Sequence, residues 1–255
     1  MLLKKKKKTR NSAANILHDR RAILHEDSPF SVREAYKTLR TNLTFSMTAK
    51  GSKLIGITSA VVSEGKSTNC LNLAITIAEN GARVIILDCD MRRPNVARLI
   101  DCSATPGLSN VLVGVGDLDK AIQKNAYGGV DVLPAGDLPP NPTELLDSDR
   151  MQEILSALRD RYDYILLDMP PVNVVADALI LSKSLTGIVF IVRQGHSERG
   201  EVSGAIKQLE FAGVKVLGFV LNGVPARQGR YGKYGKYGKY SKYSYRYQYS
   251  SYGED

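Results

Sequence analysis

The sequence predicts an α/β fold with a mostly parallel sheet and helices on both of its faces. Short apolar runs alternate with segments of helical spacing along the central part of the chain, which is typical of strands joined by helical crossovers. The apolar runs are continuous rather than alternating, as expected of strands buried on both faces. A length of 255 residues, 43% of them hydrophobic, allows a single domain with a sizeable core.

The expected elements follow one another in regular order. The predicted strands cover residues 54–58, 83–87, 130–133, 164–167, 187–192 and 216–221. The predicted helices cover residues 31–47, the apolar segment after Gly65, and residues 151–158, 176–185 and 198–211. Asp88 ends the second of these strands and a proline pair at 170–171 stops the fourth.

The net charge of +9 is concentrated at the two ends of the chain. Residues 1–25 carry eight Lys or Arg and one Asp, and residues 226–255 carry seven Lys or Arg and two acids. The 200 residues between them are therefore slightly acidic. We expect a basic flexible arm over 1–30, one folded domain over 31–225 and a separate tail over 226–255.

Nine of the thirteen tyrosines lie in that tail, partly in Tyr-Gly-Lys repeats, and the segment has almost no aliphatic residues. Such a composition buries too little apolar surface to offset the entropy of ordering, so we expect the tail to be disordered. Taken alone, the composition of the tail favours a low-complexity segment that binds RNA or an acidic polymer by stacking and charge.

Several classes of protein are excluded by what the sequence lacks. Cys70, Cys89 and Cys102 are odd in number and have no C-x-x-C spacing, which indicates neither a disulfide framework nor a zinc site. No apolar run is long enough for a transmembrane helix, and the lysines at 4–8 are not followed by the apolar stretch of a signal peptide.

The segment 59–68 (SAVVSEGKST) follows a strand and opens a helix, which is the context required for a P-loop. Its backbone N–H groups and the helix dipole suit phosphate oxygens, Lys66 supplies a cation, and the Ser67 hydroxyl suits Mg²⁺. The first glycine of the motif is replaced by Ala60. We expect six consecutive residues to bind ATP: Ser63, Glu64, Gly65, Lys66, Ser67 and Thr68.

Three carboxylates follow the ends of two predicted strands. Asp88 and Asp90 are two residues apart, and Asp168 ends another strand. Ligands of open α/β sheets bind outside these strand ends, so the three acids are expected to converge on the P-loop. One such Asp alone could be only a helix cap. Asn222 ends the last strand and is expected either to touch adenine or to serve as a turn residue.

The motifs at 60–67, 85–92 and 165–171, in this order before a tyrosine cluster, resemble those of the bacterial tyrosine kinases of capsule and exopolysaccharide synthesis. The resemblance covers about residues 30–225 and the tail. It implies a P-loop tyrosine autokinase that uses ATP and Mg²⁺, with Lys66 at the transferring phosphate. It further implies that Ser67, Asp88 and Asp168 serve Mg²⁺ and that Asp90 is the base for the acceptor hydroxyl, the division between Asp88 and Asp90 staying open.

The same resemblance implies the phosphorylated residues and their effect. These are the nine tail tyrosines: Tyr231, Tyr234, Tyr237, Tyr240, Tyr243, Tyr245, Tyr247, Tyr249 and Tyr252. Each phosphate adds about −1.5 to −2 charge, so a few would cancel the positive charge of the tail. We expect transfer in trans, to the tail of a neighbouring subunit.

Glu34, Lys37 and Arg40 resemble the E-x-x-R-x-x-R interface helix of that family, with Lys in place of the first Arg. Spacing of three places them on one helix face, although a solvated charged face explains them equally well. Lys cannot form the bidentate fork of Arg. The resemblance implies a homo-oligomeric ring, with an octamer as the candidate size.

The remaining expectations concern location and partners. The resemblance implies a cytoplasmic protein held at the inner face of the cell membrane by a membrane-embedded polysaccharide co-polymerase, and a cognate tyrosine phosphatase. No nucleic-acid partner is expected. The competing functions are a positioning ATPase, which would carry a lysine where Val61 stands, and a non-catalytic ATP-binding scaffold.

Overall fold

A computed structural model describes residues 19–47 and 51–224 of the chain. Within these residues, one sheet contains all of the strands. They are β1 (Lys53–Ser59), β2 (Val84–Asp88), β3 (Gln123–Tyr127), β4 (Val130–Leu133), β5 (Tyr164–Asp168), β6 (Gly187–Arg193) and β7 (Val216–Asn222). Their order across the sheet is β3-β4-β2-β5-β1-β6-β7. All neighbours are parallel except β3 and β4, so the predicted α/β class is confirmed.

The helices of the described residues connect these strands. They are α1 (Phe30–Ser46), α2 (Lys66–Ala78), α3 (Val96–Ile100), α4 (Leu108–Leu112), α5 (Leu118–Ala121), α6 (Pro142–Leu146), α7 (Asp149–Arg159), α8 (Asp177–Ser182) and α9 (Arg199–Phe211). Two hydrophobic cores form, one around α2 and one around α7, α8 and α9. Because β-strand side chains alternate between faces, these are the two faces of the sheet. Helices therefore cover both faces, as predicted.

The parallel central strands bring their carboxyl ends to a single edge of the sheet. Asp88 and Asp168, the last residues of β2 and β5, are direct register partners. The P-loop follows β1, which pairs with β5 on its other side. This topology places the P-loop and the two strand-end acids together before any side chain is considered.

Some boundaries differ from those predicted from sequence. The antiparallel strand β3 and the short helices α3 to α6 have too little periodicity to be predicted, and α8 ends at Ser182 rather than at 185. The prediction of a flexible arm over residues 1–30 is wrong for the inner part of that segment. Ile23 and Leu24 are buried, and the Leu24 amide donates to the Asn72 side chain of α2 at 2.8 Å. An apolar pair next to an open core face packs against it whatever the charge of the residues before it.

Two expectations lie wholly or partly outside the described residues. The tyrosine tail follows Val224, and none of its nine tyrosines lies within the described ranges. The outer part of the basic arm, residues 1–18, lies outside them as well. Among the described helices, none is both long and apolar enough to cross a membrane.

Candidate nucleotide and metal site

The P-loop turns tightly from the end of β1 into the first residue of α2. Gly65 caps the helix with a φ of 92°, a left-handed conformation that favours glycine. A Cβ atom at Gly65 would lie 2.2 Å from the Asn222 side-chain nitrogen, so a larger residue is also excluded by space. Ala60, where the motif has its first glycine, is fully buried in the core. The loop therefore keeps its sharp turn at Gly65 without the first glycine.

A cleft of about 580 Å³ opens above the P-loop. Its lining includes most of the predicted nucleotide-binding residues, together with basic residues that sequence reasoning did not select. The lining residues are Asp19, Ala22, Val62, Ser63, Gly65, Lys66, Ser67, Thr68, Asp90, Arg93, Asn95, Arg98, Arg193, Asn222 and Gly223. The volume and the excess of cations suit a polyanionic ligand of nucleotide size.

Asp88 is completely buried and does not line this cleft, and its carboxylate accepts hydrogen bonds from backbone amides. One oxygen accepts from the Asp90 amide at 3.3 Å, and the other accepts from the Asn95 and Val96 amides at 3.0 Å each. Burial raises the pKa of Asp88, the neighbouring Asp168 raises it further, and the hydrogen bonds from Val96 and Asn95 oppose the change. As placed, Asp88 holds the loop that follows β2.

Asp168 has the same burial but a different set of contacts. Among the described residues, its Oδ1 atom is buried without a hydrogen-bond partner. Burial raises the pKa of Asp168 to about 6, while Lys66 and the Ser67 hydroxyl act in the opposite direction. A buried carboxylate oxygen without a donor is costly unless a ligand completes it.

This unpartnered oxygen fits the Mg²⁺ predicted from sequence. No described group of three or more His, Cys, Asp or Glu side chains could hold a metal alone. Mg²⁺, however, is bound in such sites by one or two protein oxygens together with phosphate oxygens and water. Asp168 and Ser67 offer those two oxygens beside the P-loop.

Asp90 lines the cleft and is half-buried. Burial raises the pKa of Asp90, whereas the amide of Arg93 and the charge of Lys66 lower it. The next residue but one, Arg92, points away toward a buried anion: it donates to Asp177 at 3.0 Å, and Thr143 hydrogen-bonds to both. Arg92 therefore ties α6 and α8 to the loop that carries Asp90.

The side chains of two predicted nucleotide-binding residues differ in whether they reach the cleft. The Glu64 side chain is completely buried and does not line the cleft, so only its backbone is available to phosphates. Asn222 does line the cleft, and its side-chain amide donates to the Glu64 carbonyl at 2.9 Å.

The predicted interface residues lie on α1, away from the cleft. Lys37 and Glu34 form an ion pair at 2.8 Å, and both side chains are partly exposed. Arg40 instead donates to the Thr76 carbonyl in α2 at 2.8 Å. Tyr36, on the same helix, donates to Asn69, whose amide donates to the Gly65 carbonyl of the P-loop.

Comparisons with known proteins agree with this geometry. A family model described as an AAA domain matches residues 38–211. Tyrosine-protein kinase YwqD of Bacillus subtilis is 37% identical over 190 residues, which cover 74% of this chain and 80% of YwqD. Tyrosine-protein kinase etk of Escherichia coli is 36% identical over 229 residues, or 87% of this chain but only 32% of etk.

The chain belongs to the bacterial tyrosine-protein kinase family. Its membership makes it a protein-tyrosine kinase, as the resemblance predicted. Among solved structures, the kinase domain of Escherichia coli ETK matches with a TM-score of 0.76 and 37% identity, covering 83% of each chain. The cell-division protein MinD of Pyrococcus horikoshii with Mg-ADP matches less well, at a TM-score of 0.57 and 26% identity, over 67% of this chain and 70% of MinD. The positioning-ATPase alternative is therefore the weaker match to this tyrosine-kinase chain.

Sequence reasoning missed one part of the site in this tyrosine kinase. Arg193, the last residue of β6, contacts the P-loop, and so do His196 and Ser197 in the loop that follows. No spacing links residues at 193–197 to those at 61–65, so the sequence carries no signal for this contact.

Proposed function

We propose that this chain is a tyrosine autokinase that uses Mg-ATP to phosphorylate the C-terminal tyrosine cluster of a neighbouring subunit. The observation that carries the proposal is the buried Oδ1 atom of Asp168, which has no hydrogen-bond partner within residues 19–47 and 51–224 and lies near Ser67 and Lys66 of the P-loop. When bound, Mg²⁺ supplies charge neutralisation on the β- and γ-phosphates. Such a set of groups suits phosphoryl transfer, in which positioning and electrostatics do most of the work.

Each residue has a proposed role. The P-loop amides and Lys66 hold the phosphates, while Ser67 and Asp168 are the protein ligands of the metal. Asp88 supports the site from behind, because backbone N–H groups already occupy its oxygens. Asn222 and Gly223 line the same cleft as Gly65. The adenine ring is proposed to bind next to these two residues.

Asp90 is the proposed base for the acceptor tyrosine. The bond between the γ-phosphorus and the β–γ bridging oxygen breaks as the phenolic oxygen bonds to that phosphorus. ADP leaves, and the phenolic proton passes to the Asp90 carboxylate. A carboxylate whose pKa is raised by burial is a better proton acceptor than an exposed one.

The start of the tail favours transfer between subunits. Gly223, which directly follows β7, lines the cleft. Tyr231 follows only eight residues after Gly223. A short connection of this kind has to reverse sharply to enter its own cleft, whereas a neighbour's cleft imposes no such reversal.

Assembly and partners complete the proposal. We infer a head-to-tail ring through the α1 face that carries Glu34 and Lys37, since a heterologous contact offers each tail to the next subunit. The proposed setting is capsular or exopolysaccharide synthesis, at the inner face of the membrane. There a membrane-embedded co-polymerase would activate the kinase and a tyrosine phosphatase would reset it.

A mixing experiment tests the function and the direction of transfer together. Lys66→Met protein with an intact tail is incubated with Mg-ATP and with active protein that lacks residues 230–255. We expect phosphotyrosine on the Lys66→Met subunit, read by intact mass and peptide mapping. The control replaces the active partner with a truncated Lys66→Met protein and should give none. If the intact tail stays unmodified beside the active partner, transfer in trans is wrong.

A further inference from the structure

Three residues at the end of β6 and in the loop before α9 contact the P-loop, and we call them the P-loop clamp: Arg193, His196 and Ser197. The Arg193 guanidinium donates to the Ser63 carbonyl at 2.8 Å, and the His196 Nε2 atom lies 2.9 Å from the Val62 carbonyl. The Ser197 hydroxyl donates to the Glu64 carboxylate. Successive residues of the phosphate-binding turn are therefore each fixed to one distant loop.

Glu64 joins the clamp to the interior of the turn. Its side chain is completely buried, and its second carboxylate oxygen accepts from the Val61 amide at 2.9 Å. Its backbone carbonyl accepts from Asn222. Ser197 in turn accepts from the Arg193 amide at 2.7 Å. A buried carboxylate is tolerated only when hydrogen bonds satisfy it, so Glu64 and Ser197 depend on each other.

The turn needs such support because its own sequence does not impose its shape. Ser63 has a φ of 63°, a left-handed conformation that is strained for a residue with a Cβ atom. Surrounding contacts must hold a turn of this kind in place. Without them, its N–H groups would not all point toward the phosphate site. Arg193 and Glu64 contact the residues on which the turn depends.

We propose that Glu64 and Ser197 are positioning residues for nucleotide binding. Their side chains fix the direction of the P-loop N–H groups without touching the nucleotide. Loss of either side chain weakens phosphate binding more than it weakens the fold. This inference rests on the proposed nucleotide site. It assigns to the β6–α9 loop a part in substrate binding that the P-loop motif does not include.

The test compares ADP affinity with the stability of the nucleotide-free protein. Ser197→Ala removes the hydroxyl, whereas Ser197→Thr keeps it. Ser184→Ala is the matched control, because the Ser184 hydroxyl donates to Gln152 away from the cleft. By calorimetry with Mg²⁺, we expect Ser197→Ala to bind ADP about tenfold more weakly, as for the loss of one hydrogen bond to a charged group. Ser197→Thr should bind within about threefold of wild type, and Ser184→Ala should match it.

Glu64→Gln gives an independent variant. It preserves the shape of the side chain but replaces one accepting oxygen with an NH₂ group, which then faces either the Val61 amide or the Ser197 hydroxyl. It should weaken ADP binding about as much as Ser197→Ala, with the thermal midpoint of the nucleotide-free protein little changed. The clamp is overturned if Ser197→Ala binds ADP like wild type. It is also overturned if the affinity loss is matched by a loss of stability that Ser197→Thr does not restore. Wild-type protein that binds no ADP would instead overturn the proposed nucleotide site and, with it, the clamp.

Discussion

The ends of β2 and β5 are nearly identical in sequence and burial but differ in what their aspartates contact. Asp88 and Asp168 each end a run of aliphatic residues, pair in register and are almost inaccessible to solvent. Asp88 accepts from three backbone amides, whereas one oxygen of Asp168 has no partner among the described residues. Equal burial therefore gives one carboxylate that stabilises a loop and one that is left available to a ligand.

The residues after each strand explain this difference. The chain after Asp88 folds back and returns the amides of Asn95 and Val96 to it. Asp168 is followed by Met169 and two prolines, and a proline has no N–H to donate. The nearest amides with hydrogens are already committed, Met169 to the Ile57 carbonyl and Val172 to the Ser59 carbonyl. The prolines thus keep local donors away from the carboxylate that is proposed to bind Mg²⁺.

The largest effect should come from removing the available carboxylate. We expect Asp168→Ala to lower kcat/KM for autophosphorylation about 1000-fold at neutral pH, because the metal loses a protein ligand next to the transferring phosphate. Initial rates at saturating Mg²⁺ would measure this. Activity within about tenfold of wild type would contradict the role given to Asp168 and remove the basis of the comparison.

Asp90 extends the comparison to a third carboxylate, which is proposed to serve the acceptor tyrosine. Asp90→Asn should lower kcat about 100-fold while leaving ADP affinity unchanged, since a general base acts on the transfer step rather than on nucleotide binding. Single-turnover kinetics together with ADP calorimetry separate the two quantities. A loss of affinity comparable to the loss of rate would place Asp90 among the metal-binding groups instead.

Stability should distinguish the two strand-end aspartates in the opposite sense. Asp88→Ala leaves three buried amide donors without an acceptor. It should therefore lower the free energy of unfolding by about 2 kcal/mol more than Asp168→Ala does. The two sites have similar burial, so the cavity contributions largely cancel. Denaturant unfolding without nucleotide gives the values. Equal losses at the two sites would mean that the hydrogen bonds of Asp88 do not stabilise the loop.

The smallest effect is a pH dependence set by Asp168. Its pKa of about 6 means that protons compete with Mg²⁺ below that pH, so the Mg²⁺ concentration needed for half-maximal ADP binding should rise about tenfold from pH 7 to pH 5. The stability of the nucleotide-free protein should depend on pH in the opposite direction. A raised carboxyl pKa favours the native state at low pH, and this stability is lost as the pH rises through about 6. Asp168→Asn should flatten both profiles in matched titrations.

Much of the site could be predicted from the sequence, because it depends on local patterns. A glycine before Lys66 at a strand-to-helix turn fixes the phosphate loop, and acids at strand ends must meet at one edge of a parallel sheet. The confirmed alternation of strands and helices follows from apolar periodicity in the same way. Edge strand β3 and the short helices α3 to α6 were missed because brief, partly exposed segments have no clear period.

Tertiary structure alone decided which of these residues remain available to ligands. The sequence places Asp88 and Asp168 in equivalent positions, but only the folded loops show which carboxylate is occupied by backbone amides. Likewise, the sequence places Ser63 and Glu64 in a phosphate loop without showing that Arg193 and Ser197, more than a hundred residues away, hold them there. The sequence by itself determined the fold class, the P-loop and the identity of the acids, since these depend on periodicity and local spacing. The direction of each buried polar atom depends on donors brought from distant segments, which exist only once the chain has folded.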